Sequence, residues 1–118
     1  MKPDEIESMT QAGNAYFDAQ KYPEAERWYL QVLQRDPKNI AVRSDLGLTF
    51  FLRKPQDIDR AIREFKAALA IDPAHENTLQ NLALAYKEKG DTASYNDTID
   101  KLRKVNPSNP ILTSSKPE

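Results

Sequence analysis

Residues 45–73, DLGLTFFLRKPQDIDRAIREFKAALAIDP, decide the fold of this chain because similar stretches lie on both sides of them. The stretch has a small residue, Gly47, followed three positions later by the aromatic Phe50, and it ends at Pro73. Its apolar residues recur at helical spacing on both sides of a polar, proline-containing break at 54–57. This pattern predicts two helices joined by a turn.

The same pattern occurs about 34 residues earlier and later, as expected for a repeat protein. The earlier copy comprises QAGNAYF (11–17) and EAERWYLQVLQRDP (24–37), and the later copy comprises NLALAYK (81–87) and SYNDTIDKLRKVNP (94–107). The three terminal prolines are 36 and 34 residues apart, so the middle copy has two additional residues. These residues lie in the turn between its two helices.

The repeated pattern predicts six helices, with short turns between them. We expect Pro55 to begin the fourth helix, because proline is well tolerated at the first helical position. Gly90 and Asp91 are expected to end the fifth helix and to cap the sixth. The predicted helices lie near 5–19, 22–35, 38–53, 56–71, 75–89 and 92–105.

Composition limits the possible classes of function. Apolar residues make up 39% of the chain and charged residues 30%, with a net charge of −1, which favours a folded helical protein over one that binds nucleic acid. There is no cysteine, and the one histidine, His75, is interpreted as a solvated residue in a turn. We therefore predict no enzyme activity, metal, cofactor or small-molecule substrate.

Nothing in the sequence indicates a membrane span or a secretory signal, since no apolar run approaches about 18 residues. The expectation is a soluble protein, cytoplasmic by default. A soluble domain of an exported or membrane-anchored parent is the alternative.

The period and the pattern of small, aromatic and proline positions resemble the tetratricopeptide repeat (TPR). The resemblance implies an all-α fold, a right-handed α-solenoid of three helix–turn–helix repeats. The predicted repeats are 6–39, 40–75 and 76–109, in a domain at 1–109 that is followed by a flexible or extended tail at 110–118.

Matching positions in the three repeats carry this resemblance. One position in the third repeat departs from the pattern, since Tyr95 replaces the small residue of the second helix and should displace the sixth helix. The small residues of the first helices are Gly13, Gly47 and Ala83, and those of the first two second helices are Ala25 and Ala61.

In this family the first helix of each repeat lines a concave groove, which implies where a partner would bind. Amide side chains there would pair with a peptide backbone, and apolar side chains would be covered by the partner. Phe51 is left open between this groove and the core. The predicted partner-binding residues are Thr10, Asn14, Phe17, Ser44, Asp45, Leu48, Phe51, Asn77, Gln80, Asn81, Leu84 and Lys87.

The leading hypothesis is a protein–protein interaction scaffold that binds a peptide or partner protein in the groove. Some members of the family hold the acidic C-terminal tail of heat-shock chaperones with Lys, Arg and Asn side chains. The corresponding positions here carry no cation, and Asp45 would repel a carboxylate, so this partner is disfavoured. Those positions are Thr10, Asn14, Asp45, Asn77 and Asn81.

Two alternatives remain at this stage. No capping helix is predicted after the sixth helix, so the C-terminal end could be covered by a second copy in a homodimer, or by Ile111 and Leu112 folding back. The chain could also be a fragment of a larger anchored or multidomain parent.

Overall fold

The computed structural model describes residues 3–114, which form seven helices and no strand. From α1 to α6, each helix packs against the next, and α3 also contacts α5. The molecule measures 49 × 29 × 20 Å. These features confirm the predicted all-α solenoid. The helices are α1 (Pro3–Asp18), α2 (Tyr22–Arg35), α3 (Ile40–Leu52), α4 (Ile58–Ile71), α5 (Glu76–Lys89), α6 (Thr92–Val105) and α7 (Pro110–Ser114).

The turn between α5 and α6 forms as the sequence predicts. Gly90 ends α5 with φ +84°, a left-handed conformation that costs glycine little. The Asp91 side chain then accepts a hydrogen bond from the backbone N–H of Ser94, 3.1 Å away, and caps α6.

The longer turn of the second repeat differs from the prediction. Helix α4 begins at Ile58, so the prediction that Pro55 begins this helix is wrong. The Asp57 side chain accepts a hydrogen bond from the backbone N–H of Arg60 at 3.2 Å. This carboxylate accepts from an N–H group in the first turn of α4 that would otherwise be unpaired, and a proline side chain cannot do so. The helix therefore begins after Asp57, three residues later than predicted.

The two helices of a repeat approach closely where a glycine meets an aromatic ring. A Cβ atom added to Gly47 would lie 2.6 Å from a ring carbon of Phe65, and one added to Gly13 would lie 2.6 Å from the ring of Tyr29. Both rings are buried, with at most 1% exposed. The absence of a side chain on glycine therefore makes room for the ring of the opposite helix.

The third repeat has a different pair of side chains at the same place. Ala83 occupies the position of the glycine, and Ile99 occupies the position of the ring. Both are buried in one cluster, with 0% and 5% exposed. A larger residue on α5 is thus accompanied by a smaller residue on α6.

The turns between repeats have one form, which occurs three times. In each, the backbone N–H of the fourth residue donates to the carbonyl of the first, over 3.1, 3.2 and 3.1 Å. The proline always occupies the second position. The turns are Asp-Pro-Lys-Asn (36–39), Asp-Pro-Ala-His (72–75) and Asn-Pro-Ser-Asn (106–109).

The predicted flexible or extended tail is wrong for residues 110–114, which form α7. Leu112 is 3% exposed and packs against Leu79 and Leu102. Asn109, 1% exposed, donates from its amide to Oε2 of Glu76 at 2.7 Å. The end of the solenoid is therefore covered by the chain itself, and residues 115–118 lie outside the described residues.

The prolines in this segment explain the error. Pro107 occupies the turn that both earlier repeats also contain. Pro110 is the first residue of α7, where a missing N–H removes no helical hydrogen bond. The number of prolines in this segment favoured an irregular tail, but the positions of Pro107 and Pro110 are compatible with a helix at 110–114.

We predict that Gly47→Ala destabilises the protein by about 1–3 kcal/mol, because the new methyl group overlaps the ring of Phe65. Adding Phe65→Ile reproduces the alanine–isoleucine pair of the third repeat and should restore part of this loss. Urea unfolding of the wild type, both single variants and the double variant measures the coupling. Strictly additive effects would contradict this explanation of the helix contact.

Candidate functional site

A groove of about 320 Å³ lies between α3 and α5, the first helices of the second and third repeats. It is lined by six of the twelve predicted partner-binding residues, together with Ala41 and His75. The six are Ser44, Asp45, Leu48, Asn77, Gln80 and Asn81.

Three of the other predicted residues make contacts within the domain. The Thr10 hydroxyl donates to the carbonyl of Ile6 at 2.8 Å. Phe17 packs edge-on against Tyr22, with ring centroids 5.6 Å apart. Phe51, which the sequence left open between groove and core, is half-buried against the core and does not line the groove.

The remaining three lie at the surface of the first helices. Leu84 is 37% exposed and Lys87 is exposed, both on α5. Asn14, on α1, accepts a hydrogen bond from the Tyr29 hydroxyl at 2.7 Å through Oδ1. This bond orients the amide, and its N–H groups make no hydrogen bond within residues 3–114.

The electrostatic character of the groove is set by Asp45. Burial, and to a lesser degree the carboxylate of Asp18, raises the pKa of Asp45 to about 6. Burial and the same two carboxylates raise the pKa of Tyr29 above its ordinary value. Asp45 forms no ion pair in the described part of the chain. The groove therefore presents negative charge without a balancing cation.

Ser44, next to Asp45, has a hydroxyl that the fold leaves unused. The residue is 5% exposed and lines the groove, and its hydroxyl makes no hydrogen bond within residues 3–114. In that range the only fully enclosed side-chain nitrogen or oxygen without a partner is Nε of Arg53. The Ser44 oxygen therefore retains access to the groove.

His75 is a groove residue that the sequence interpretation missed. Its Nδ1 lies 2.7 Å from Oγ1 of Thr78, which fixes the ring at the start of α5, and the residue is half-buried. His75 lies in a turn, as the sequence predicts, but it is half-buried and not fully solvated. The available signal was its position directly before a first helix, where a side chain can face the groove.

A larger concavity of about 540 Å³ lies beside the turns of the first two repeats. The Arg53 guanidinium at its edge is already paired with Glu26 at 3.1 Å and Asp57 at 3.4 Å. The charge of Arg53 is therefore already balanced within the domain. It is lined by Gln20, Tyr22, Pro23, Leu52, Arg53, Lys54 and Pro55.

Comparison with known proteins gives one match in sequence and several in fold. The sequence model described as "TPR repeat" matches residues 13–53. No curated protein matches the chain in sequence.

Three solved structures illustrate the shared fold. The first TPR domain of Spaghetti (RPAP3), bound to the HSP90 peptide SRMEEVD, has a TM-score of 0.87 at 18% identity, covering 97% of this chain and 91% of that one. The TPR2B domain of yeast Sti1, in complex with pHsp70, has a TM-score of 0.81 at 22% identity, covering 93% and 86%. A mutant of MamA has a TM-score of 0.76 at 27% identity, covering 88% and 74%.

The architecture is thus that of an α-solenoid built from helical hairpins. Residues 13–53 match the tetratricopeptide repeat in sequence, and the fold of residues 3–114 is that of TPR domains, as the sequence predicts. Within residues 3–114, no helix has both the length and the apolar character needed to cross a membrane. No group of three His, Asp or Glu side chains in that range could hold a metal ion.

We predict that Asp45→Asn stabilises the protein by about 1–3 kcal/mol at pH 7.5, since one pKa unit corresponds to about 1.4 kcal/mol and partial exposure reduces the effect. The raised pKa means that the folded state disfavours the ionised form. This penalty is absent below the ordinary value of 3.8 and fully present above about 6. Urea unfolding from pH 4 to 7.5 should show the difference between the proteins growing with pH. If the difference in unfolding free energy between wild type and Asp45→Asn does not change with pH, ionisation of Asp45 is not the cause of the destabilisation.

Proposed function

We propose that the chain is a protein–protein interaction scaffold that holds an extended peptide segment of a partner in the groove between α3 and α5. One observation carries the proposal: side chains from two successive repeats converge on a single groove that combines apolar and amide groups. Its chemistry suits recognition of a main chain.

The amides provide the polar part of this recognition. Gln80 and Asn81 line the groove, and Asn81 offers both donors and an acceptor, as a peptide backbone does. Oε1 of Gln80 already accepts from the Asn109 amide at 3.1 Å, so Gln80 offers its N–H donors. Asn77 lies one turn earlier on the same helix and is exposed. A segment lying along α5 could therefore exchange hydrogen bonds with several amides in succession.

The apolar part comes from leucines on the two helices. Leu48 lines the groove and is half-buried on α3. Leu84 lies beyond the groove lining at the surface of α5, three residues after Asn81, and is 37% exposed, so a segment that runs along α5 from the groove would cover it. Covering such side chains stabilises a complex by about 25 cal/mol per Å² of apolar surface, before the cost of ordering the peptide.

The solved relatives support a peptide as the ligand, because two of them were determined with chaperone partners. The acidic chaperone tail itself is disfavoured for this chain. The positions that would grip its carboxylates carry no lysine or arginine, and Asp45 would repel them. The proposal is a binding module without catalysis.

Self-association through the C-terminal end has less support than it had from the sequence. Its premise was an uncovered α6, and α7 now covers that end with Leu112. Membership in a larger anchored or multidomain parent stays compatible with the proposed groove function.

We predict that Leu48→Glu with Leu84→Glu abolishes capture of partner proteins in a pull-down from the source organism. The matched control replaces two leucine-sized residues on second helices, Leu30→Glu with Ile71→Glu; these are 39% and 36% exposed and lie outside the groove. The control variant should retain the wild-type partners.

Circular dichroism must show native helical content and cooperative unfolding for both pairs of substitutions. Because Leu48 also packs against the core, Leu48→Ala with Leu84→Ala serves as a second groove variant if the glutamates unfold the protein. Identical partner lists from wild type and the folded groove variant would refute the proposed site.

A further inference from the structure

We infer that the groove binds a peptide through a cationic side chain, lysine or arginine, which pairs with Asp45 and donates to Ser44. This inference rests on the proposed function and specifies the chemistry of the partner. It predicts that the groove prefers peptides with a basic side chain, whereas grooves that bind acidic tails prefer carboxylates.

The first observation is a negative charge that the fold does not balance. Asp45 is half-buried on α3, and Asp18 is close enough to act on it electrostatically. Asp18 lies in the last turn of α1, which contains no basic residue and where the helix dipole adds further negative potential. A cation brought by a partner would relieve this repulsion.

The neighbouring cation on α3 cannot serve as the counter-charge. Arg43 pairs with Glu64 at 3.0 Å and donates to the carbonyl of Pro37 at 3.0 Å. A half-buried carboxylate without a partner is costly, and a charge-assisted hydrogen bond from a ligand would recover that cost.

The second observation is independent of charge. The Ser44 hydroxyl, on a residue 95% buried, has no hydrogen-bond partner within residues 3–114 and opens into the same groove. The oxygen is not fully enclosed, so it stays accessible from the groove and is available to a ligand. The Ser44 oxygen can accept a hydrogen bond from a cationic N–H group that also reaches Asp45.

The donors of lysine and arginine match this set of acceptors. An ammonium group has three N–H donors and a guanidinium has five, and neither has an acceptor. Asp45, the Ser44 oxygen and the side-chain carbonyl oxygen of Asn81 provide acceptors in one groove. An acidic side chain at the same place would meet like charge.

The test begins with a phage-displayed library of random twelve-residue peptides, selected at pH 7.5 on four immobilised proteins. These are the wild type, Asp45→Asn, the groove variant Leu48→Glu with Leu84→Glu, and the control Asp100→Asn. Asp100 lies on α6, outside the groove, with its side chain 67% exposed, so the control removes the same charge elsewhere.

We expect wild type and Asp100→Asn to enrich peptides with lysine or arginine at one fixed position, and Asp45→Asn to lose that enrichment. A selected peptide, synthesised with this residue and with glutamine in its place, is then titrated by calorimetry. The cation should strengthen binding to wild type at least tenfold, about 1.4 kcal/mol, and should have little effect on Asp45→Asn. Raised salt should reduce the difference.

The outcomes separate this inference from the proposed function. Peptides that depend on the groove leucines but show no cationic preference, or prefer acidic residues, would overturn the inference and leave the groove function standing. Failure to enrich any peptide, or enrichment unaffected by the groove variant, would overturn both.

Discussion

The contact between a glycine on one helix and an aromatic ring on the next is the constraint on which this structure depends. Gly13 against Tyr29 and Gly47 against Phe65 leave no room for a side chain at either glycine. Each contact fixes the distance and rotation of two antiparallel helices, because the ring fills the space that the glycine leaves. Repetition of this hairpin brings α3 and α5 into contact, and the groove lies along that contact.

Much of the scaffold was predictable because these contacts recur at fixed positions. The small residue, the ring and the proline have the same roles in successive repeats, so a chain without strands and with six helices followed from their period. What the sequence did not predict depended on individual hydrogen bonds. The cap at Asp57 moved the start of α4, and the Asn109 amide, bonded to Glu76, positions α7. Such bonds follow no period and require the fold to be known.

The residues of the candidate site also fall into those that the repeat pattern predicts and those that it does not. Residues on α3 and α5 were brought together as expected, since their positions follow from the repeat. Phe17 and Phe51 were assigned to the groove by position, but large aromatic rings are buried wherever neighbouring surfaces allow it, and both pack within the domain. Residue type alone did not predict that the Ser44 hydroxyl and His75 lie at the groove. Both positions depend on how α3 and α5 pack, which the sequence pattern does not specify.

The groove also contrasts with the rest of the domain in its electrostatics. Elsewhere in the domain several charges are paired between helices, as in Arg43 of α3 with Glu64 of α4, and in Arg53 with Glu26 of α2. Along the groove, Asp45 forms no ion pair with any residue of 3–114 and is destabilising when ionised. Binding sites commonly retain groups that reduce the stability of the free protein, because the same groups gain interactions when a ligand arrives.

The recurring turn at 36–39, 72–75 and 106–109 has a consequence for engineering this domain. Because all three turns share one backbone hydrogen bond, the last of them already directs the chain as the earlier two do. Helix α7 occupies the place where another first helix would begin, and Leu112 fills the corresponding apolar surface. A hairpin grafted after residue 109 would thus inherit its docking angle, and the groove could be lengthened in steps of one repeat.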